Sequence, residues 1–504
     1  MSKIKFGWSE VSIVPEGKKV SLVGQFYERI SNVVETPISV TALAMECDGD
    51  AAIFCGCDLV STPRTLLDDV RAYILKDDPT FPADKLMVSA IHTHTSLGYA
   101  RRSDSISGPR KSSTVGGNTL EVLANLLPNA KYETLVSYQG DDLLDGEEAR
   151  VFLIERIAKA AAQAWANRAE GMYATGFGRA VVGMCRRVCY DDGSAKMWGD
   201  VDSPNFTELE AGNDSGVELM FTYTPDKKLT GVIANIACPA QVLEHRSFIS
   251  SDYMGKLKRN LREKFGADIQ MLGLVSPAGD QCPRDMIRWV QPESPIDDPN
   301  IERVDPKYRR QDPSMFDVSG CERIARRLAT EVEYALSDVT EYIGDTTFTH
   351  KKMMMDLPLR RVTPEQYASA KKAIEDFGKA LGNGTINFAD NARMHVYAGT
   401  VARFEVQKTK DIVPIEVHVL RLGDIAFATN PFELFLNYGN QIRARSKAAQ
   451  TFLVQLSCGA QGYLPTKKAE DGSHYSAYVS SGSVGHAGGD LLVRKTISEI
   501  NGMF

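Results

Sequence analysis

The stretch AAIFCGCDLVSTPRTLLDDVRAYILKDDPTFPADKLMVSAIHTHTS, residues 51–96, contains the hydrophobic pattern that best indicates the fold class. It opens with the apolar run AAIFCGCDLV, which is typical of a buried strand. A similar run, ISVTALAMEC, comes just before it, and Asp48, Gly49 and Asp50 lie between the two runs. Because Asp and Gly favour tight hairpin turns, the sequence predicts two paired strands here.

A helix and a further strand follow the hairpin. In TPRTLLDDVRAYILK the apolar residues recur every three or four positions, as on one face of a helix, with Thr62 as its cap and Pro63 in its first turn. The segment KLMVSAIH then reads as a buried strand, which places His92 and His94 at its carboxyl end. Strands that alternate with helices indicate mixed α/β layers.

The same alternation continues along the chain. Helical patterns cover residues 147–167, 317–337 and 363–381, and no repeat of fixed period is present. Two segments lack periodicity: the Ser- and Gly-rich residues 102–119, which are either a mobile lid or a surface loop, and the Pro- and Asp-rich residues 291–314. Neither interrupts the pattern enough to mark a domain boundary.

Composition excludes several classes of protein. The chain has 504 residues, is 43% hydrophobic and 24% charged, and carries a net charge of −7, which disfavours nucleic acid as a partner. No run approaches the roughly 18 apolar residues of a membrane span, and polar residues interrupt the N-terminal stretch where a signal peptide would be apolar. Nine cysteines without dense spacing suggest free thiols. A cytoplasmic protein is expected.

His92 and His94 have two interpretations. Side chains two residues apart on a strand point to the same face, so both imidazoles can converge on one site, and ligands gather beyond the carboxyl ends of strands in α/β sheets. A His-x-His pair alone is nevertheless a weak motif, and two polar residues that finish a strand are the simpler alternative.

Side chains that could bind a metal or take part in catalysis also lie at the ends of other predicted strands. One strand ends at Cys238, ahead of a loop with Glu244 and His245; another runs into Ser276. Two more end near Glu433 and Tyr463. The Gly-x-Ser-x-Gly elbow is absent around the serine, so an α/β-hydrolase is excluded.

Several conspicuous features favour plain packing. Cys55 and Cys57 fit a buried strand better than a metal site, because no second close cysteine pair completes a four-thiolate set. KKMMMDLP is interpreted as a core strand, and GHAGGD as a flexible turn beside the site. The isolated histidines are interpreted as packed or exposed side chains: His350, His395 and His418.

A series of motifs resembles the catalytic N-terminal domain of the neutral and alkaline (non-lysosomal) ceramidases, zinc-dependent amidases that cut the N-acyl bond of sphingolipids. In chain order the motifs are FGWSEVSIVP, CDLVSTPR, AIHTHTS, GMCRRV, NIACPAQ, ISSDYMG, VSPAGD, NPFE and GYLPT. The resemblance implies an α/β fold of mixed sheets with packed helices. It also implies one catalytic domain over residues 1–504, without the β-sandwich that follows in secreted members.

The resemblance implies a Zn²⁺ site. The family's metal ligands fall on His92, Cys238, Glu433 and Tyr463. The family has histidine where this chain has Cys238, so three outcomes stay open: the thiolate binds zinc as a weaker Lewis acid, His245 replaces it, or the metal is lost.

The remaining site residues are implied in the same way. His94 would relay a proton to the leaving group, Tyr475 and Arg186 would donate to the oxyanion, and Ser276 would support the site by hydrogen bonding. The metal would activate water for attack on the scissile carbonyl.

The expected function is therefore zinc-dependent hydrolysis of an amide (N-acyl) or related bond in a small, soluble substrate. Arg101, Arg102 and Arg110 suggest an anionic substrate, although a solvated loop explains them equally well. The alternatives are a metal-depleted metabolite- or carbohydrate-binding protein, and a metal-dependent lyase or isomerase on the same fold.

Overall fold

A computed structural model describes residues 2–25, 29–99, 119–132, 138, 140–288 and 318–504. The candidate lid over residues 102–119 lies outside the described residues except at its last position, and so do Arg101, Arg102 and Arg110. The irregular segment 291–314 also lies outside them.

The helices confirm the main helical predictions. Those predicted over 147–167, 317–337 and 363–381 correspond to α3 (Gly146–Ala166), α5 (Val318–Ser337) and α6 (Pro364–Leu381), and the last of these begins with a capping box between Thr363 and Gln366. The helices are α1 (Arg64–Asp77), α2 (Thr119–Leu126), α3 (Gly146–Ala166), α4 (Asp252–Phe265), α5 (Val318–Ser337), α6 (Pro364–Leu381), α7 (Phe388–Val406), α8 (Leu436–Arg445), α9 (Lys467–Gly472) and α10 (His486–Asn501).

Two local predictions about helix starts are wrong. Thr62 does not cap α1, because Pro63 occupies the cap position and the Thr62 hydroxyl donates to the carbonyls of Val88 and Leu456. GHAGGD is not a loose turn but the first turn of α10. A Cβ at Gly489 would lie 2.4 Å from the Tyr438 ring, so the glycine there allows helix and ring to touch.

The first sheet contains the predicted hairpin. Its strands are β1 (Lys5–Ser12), β2 (Ser39–Cys47), β3 (Asp50–Cys57), β4 (Leu86–Ala90) and β5 (Ala169–Glu170), in the order β5-β1-β2-β3-β4. All neighbours are antiparallel except β3 and β4, which are parallel and are joined through α1. Helix α3 packs on this sheet.

Two further sheets follow the same plan. The second consists of β6 (Met172–Arg179), β7 (Gly216–Tyr223), β8 (Leu229–Ile236) and β9 (Gln270–Val275); the third of β10 (Phe348–Pro358), β11 (Ile412–Leu422), β12 (Ile425–Thr429) and β13 (Gln450–Val454). In each, the last two strands are parallel and are joined by one helix, α4 or α8. The Met-rich segment forms a strand, β10, as predicted, but only one of its three methionines belongs to the core: Met355 is buried, whereas Met354 is 55% exposed.

Backbone hydrogen bonds join the carboxyl ends of the parallel strands from all three sheets. The amide of Ala90 donates to Leu456 (3.1 Å), that of Ala240 to Ile91 (3.0 Å), and that of Gln455 to Val275 (3.0 Å). Loops that leave these strand ends are therefore held in one place, as expected where parallel strands end together. Mixed sheets with packed helices confirm the predicted fold class.

The hydrophobic core lies between the sheets and their helices. Helices α4 and α5 pack together on the second sheet, α8 and α10 on the third, and α2 packs with α6 and α7 in a separate helical layer. Cys55 and Cys57 are fully buried core residues, as interpreted from the sequence. In the described part of the chain, no helix has the length and apolar character to span a bilayer.

Candidate active site

His92 lies just beyond β4 and presents one particular nitrogen. Its backbone takes the left-handed conformation (φ 68°), which lets the chain turn as the strand ends. The Nδ1 atom donates to the Val60 carbonyl (2.6 Å), so the lone pair of the neutral imidazole is on Nε2. The next threonines point inward, with the hydroxyls of Thr93 and Thr95 both donating to the Ser250 carbonyl.

Glu433 and Tyr463 reach the same place from the third sheet. They are paired residues of two short parallel strands, Glu433–Leu434 and Tyr463–Leu464. Glu433 Oε2 lies 3.5 Å from His92 Nε2, and Tyr463 shares a hydrogen bond with Glu433. Burial and the neighbouring Glu433 carboxylate raise the pKa of Tyr463 well above its ordinary value. Three of the four predicted metal ligands are therefore neighbours.

Arg186 and Tyr475 adjoin these ligands. Arg186 is 3% exposed, and its Nη2 donates to the Gly279 carbonyl (3.1 Å) and to Tyr463 Oη (3.4 Å). Burial alone would lower its pKa, but the Tyr463 phenol and the Glu433 and Glu244 carboxylates raise it, so the guanidinium stays charged. Tyr475 stacks edge-on against Tyr463 with ring centres 5.6 Å apart, and burial raises its pKa to about 12.

Cys238 has a different environment. Its side chain is fully buried, and Sγ lies 3.5 Å from the Pro239 carbonyl. Burial, with Cys282 and Asp252 nearby, raises the pKa of the thiol well above its ordinary value. Its Sγ and the ligand atoms of His92 and Glu433 do not all lie within 4.8 Å of one another in the described chain.

Ser276 is hydrogen-bonded to an arginine of helix α8. Its hydroxyl accepts a hydrogen bond from Arg443 Nη2, and Arg443 Nη1 also donates to Asp214 (3.0 Å). The serine amide donates to the Ile236 carbonyl (2.9 Å), so the backbone of this turn is fixed as well.

Glu244 is a site residue to which the sequence assigned no role. Its carboxylate is 9% exposed and lies 3.5 Å from His94 Nδ1 and 3.4 Å from His245 Nε2. Gln241 Nε2 donates to it (2.8 Å). Burial would raise the pKa of Glu244, but hydrogen bonding with His245 and the positive charge of Arg186 lower it to about 2. His245 is thus paired with this carboxylate.

The structure also contains a second polar cluster that the sequence did not indicate. Glu416, His418 and Cys458 are the one group of His, Cys, Asp or Glu residues in the described chain with three ligand atoms within 4.8 Å of one another. His418 and His350, interpreted as isolated, are in fact hydrogen-bonded (2.8 Å). No local sequence pattern predicts these contacts, because β10, β11 and the loop after β13 come together only when the third sheet forms.

The hydrogen bonds in this cluster indicate that it holds a proton on His418 rather than a metal ion. His350 Nδ1 donates to the Ala51 carbonyl (2.7 Å), so its Nε2 must accept from His418 Nδ1. His418 Nε2 donates to Glu416 (2.8 Å), which makes His418 an imidazolium. Arg71 and Arg64 occupy the rest of the Glu416 carboxylate. No lone pair of this carboxylate remains for a cation.

The donor set around His92 does fit a zinc ion. Imidazole nitrogen and carboxylate or phenolic oxygen are ligand types that zinc accepts, and the lone pair of His92 Nε2 faces Glu433. Beside it, His94 Nδ1 is buried and makes no hydrogen bond with the described residues. Unlike the polar atoms around His418, these atoms can therefore still bind a metal ion.

Comparison with known proteins reveals a shared fold. No protein-family model and no curated protein matches the chain. Among solved structures, neutral ceramidase from Pseudomonas aeruginosa matches with a TM-score of 0.66 at 14% identity, over 100% of this chain and 75% of that chain. A ceramidase complexed with C2 matches with a TM-score of 0.63 at 12% identity and the same coverage. The ceramidase-like fold implied by the sequence motifs is confirmed.

Proposed function

We propose that this chain is a zinc-dependent hydrolase that cleaves an amide (N-acyl) or related bond in a small, soluble substrate, with residues 1–504 as one catalytic domain. The observation that carries the proposal is the meeting of His92, Glu433 and Tyr463 beside the buried charge of Arg186. The shared fold with ceramidases supports the N-acyl class of substrate.

His92, Glu433 and Tyr463 would hold the metal. Zinc bound in such a site supplies a water ligand of lowered pKa and polarises the scissile carbonyl. Cys238 remains the fourth ligand that the motifs imply, although its buried thiol would have to lose its proton and turn toward His92.

The chain's own residues would transfer protons and stabilise the negative charge that develops in the reaction. His94 is held neutral, because burial and the neighbouring His92 lower its pKa well below the ordinary value, so it can accept a proton and return it to the leaving group. Tyr475 keeps its phenolic proton and, with Arg186, would donate to the carbonyl oxygen as negative charge develops there. Ser276 would support the site through Arg443.

Metal analysis combined with a substrate screen tests the proposal. We expect about one zinc per chain in the wild-type protein, and its loss in His92→Ala and Glu433→Gln. Cys238→Ser decides whether the thiol contributes a ligand. The substrates are N-acyl p-nitroanilides and p-nitrophenyl esters, assayed with and without chelator. A wild-type protein without metal after zinc is supplied contradicts the proposal and favours a binding protein, and products of bond elimination favour a lyase.

A further inference from the structure

Arg187 is a fully buried arginine for which the motifs imply no role. All five N–H groups of its guanidinium donate hydrogen bonds. Nε donates to the Glu210 carboxylate (2.9 Å), and the two terminal nitrogens donate to four oxygens of one chain segment. These oxygens are the carbonyls of Ala469 (3.2 Å), Ser473 (2.9 Å) and Tyr475 (3.0 Å) and the hydroxyl of Ser476 (3.3 Å). The guanidinium therefore holds the end of α9 together with the backbone that bears the Tyr475 ring.

The backbone held in this way has an unfavourable conformation. Ser473, His474 and Ser476 are all left-handed, with φ of 60°, 73° and 70°. Residues other than glycine seldom adopt this conformation, and they keep it only where surrounding contacts hold them. Arg187 supplies such contacts to both serines. His474 is held by the neighbouring strand, because the amide of Met197, which pairs with Arg187, donates to His474 Nδ1 (3.2 Å).

The backbone decides where the Tyr475 hydroxyl lies. A tyrosine ring turns about only two bonds, so its position follows that of the backbone that bears it. The ring also packs edge-on against Tyr463 (5.6 Å between ring centres) and against His395 on α7 (6.2 Å). A hydroxyl that donates to a developing oxyanion must lie about 2.7–3.1 Å from it, so a small displacement of this backbone would remove the hydrogen bond.

Arg186 and Arg187 contact the site in different ways. Arg186 Nη2 donates to the Tyr463 hydroxyl itself (3.4 Å). Among the described residues, the acceptors of Arg187 are one carboxylate, three backbone carbonyls and one serine hydroxyl, and none of them is a predicted metal ligand. The carboxylate, that of Glu210, is 3% exposed and balances the buried charge of the guanidinium. Arg187 can therefore affect the reaction only through the residues that it holds.

We propose that Arg187 is a positioning residue of the candidate site: by holding the backbone from Ser473 to Ser476, it places the Tyr475 hydroxyl where it can donate to the substrate carbonyl. The proposal deepens the proposed function and rests on it for the reaction that Tyr475 serves. The position of the Tyr475 ring is a property of the protein without substrate, so it can be measured separately.

Fluorine nuclear magnetic resonance of protein labelled with meta-fluorotyrosine tests the ring position. The Tyr475 signal is assigned by its loss in Tyr475→Phe. We expect Arg187→Lys to shift and broaden this signal, because one ammonium cannot replace five donors in a plane. Arg360→Lys is the matched control, since Arg360 donates to the next carbonyls of the same segment, those of Ala477 (2.9 Å) and Tyr478 (3.0 Å). An unchanged Tyr475 signal in Arg187→Lys, or an equal change in the control, would overturn the proposal.

A second variant is available if Arg187→Lys does not fold, as judged by circular dichroism. Ser476→Ala removes one acceptor of Arg187 and keeps both charges of the ion pair with Glu210. It should shift the same Tyr475 signal by a smaller amount, and a spectrum identical to that of the wild type would contradict the proposal.

A double-mutant cycle on the p-nitroanilide or ester found to be hydrolysed gives a second readout. We expect Arg187→Lys to lower kcat by about 10²-fold with little change in KM or bound zinc, because a misplaced donor weakens stabilisation of the transition state. When Tyr475 is already replaced by phenylalanine, Arg187→Lys should lower kcat by less than about 2-fold further.

Two kinetic results would contradict the positioning role. One is a full loss of kcat from Arg187→Lys in both backgrounds, and the other is a loss of bound zinc in Arg187→Lys, which would place the effect on the metal ligands. Absence of hydrolysis in the wild type contradicts the proposed function instead, while the fluorine signal still tests the position of the Tyr475 ring.

Discussion

Replacement of Glu416 by glutamine removes one charge from a fully buried ion network. The Glu416 side chain has no exposed surface, and both terminal nitrogens of Arg71 donate to it (2.6 and 3.1 Å), as does His418 (2.8 Å). Breaking a buried pair by removing one partner costs about 3–5 kcal/mol, since the other charge stays buried without compensation. Arg64 adds little to this figure, because it is 36% exposed and already pairs with Asp68 through its Nε atom (2.7 Å).

Part of this cost depends on pH. Burial would lower the pKa of His418, but Cys458 and Glu416 raise it above 6.5. A raised folded-state pKa contributes stability that is present below pH 6.5 and is lost as pH rises through the folded value. The free-energy difference between wild type and Glu416→Gln should therefore narrow at higher pH, leaving the share that belongs to Arg71.

Urea unfolding followed by tryptophan fluorescence and far-UV circular dichroism measures the effect. We expect Glu416→Gln to lower the free energy of unfolding by about 3–5 kcal/mol at pH 6. The control Glu155→Gln, at an exposed position in the middle of α3, should change it by less than about 0.5 kcal/mol. A loss below about 1 kcal/mol would refute the assignment of a charged, buried network. Bound zinc should be unchanged; a fall in zinc in Glu416→Gln or Cys458→Ser would show that the cluster holds metal.

Two further changes test the site and the core. Gly24→Ala should abolish most hydrolysis, because an added Cβ would lie 2.4 Å from the His94 ring. Gly17 also has a positive φ (70°, against 106° at Gly24) but open surroundings, so Gly17→Ala should leave activity intact; equal losses in the two variants would contradict this. Burial raises the pKa of Asp58 to about 6 from 3.8, so its contribution to stability is present below pH 3.8 and lost as pH rises through 6. Asp58→Asn should therefore gain up to about 3 kcal/mol relative to wild type between pH 4 and 7 in urea unfolding, and a constant difference would refute the shift.

Much of the fold could be predicted because its signals are local. Apolar runs, the Asp48-Gly49-Asp50 turn and the Thr363 cap each act over a few residues, and the corresponding elements form as expected. The failures have equally physical causes. Thr62 has the composition of a cap, but its hydroxyl is drawn to carbonyls at two other strand ends, and the glycines of α10 serve a contact with Tyr438 rather than a flexible turn.

In the candidate site, too, the sequence predicted individual residues but not the contacts between them. The motifs identified His92, Glu433 and Tyr463, which the structure brings together, but gave no reason to connect Arg187 with Tyr475 or Glu416 with Cys458. Arg187 and Tyr475 are 288 positions apart and meet only in the folded chain. Local patterns encode periodicity and turns, so they determine elements and the residues at their ends. Which of those side chains share protons and charge depends on sheet register and burial, and the tertiary structure alone decides that.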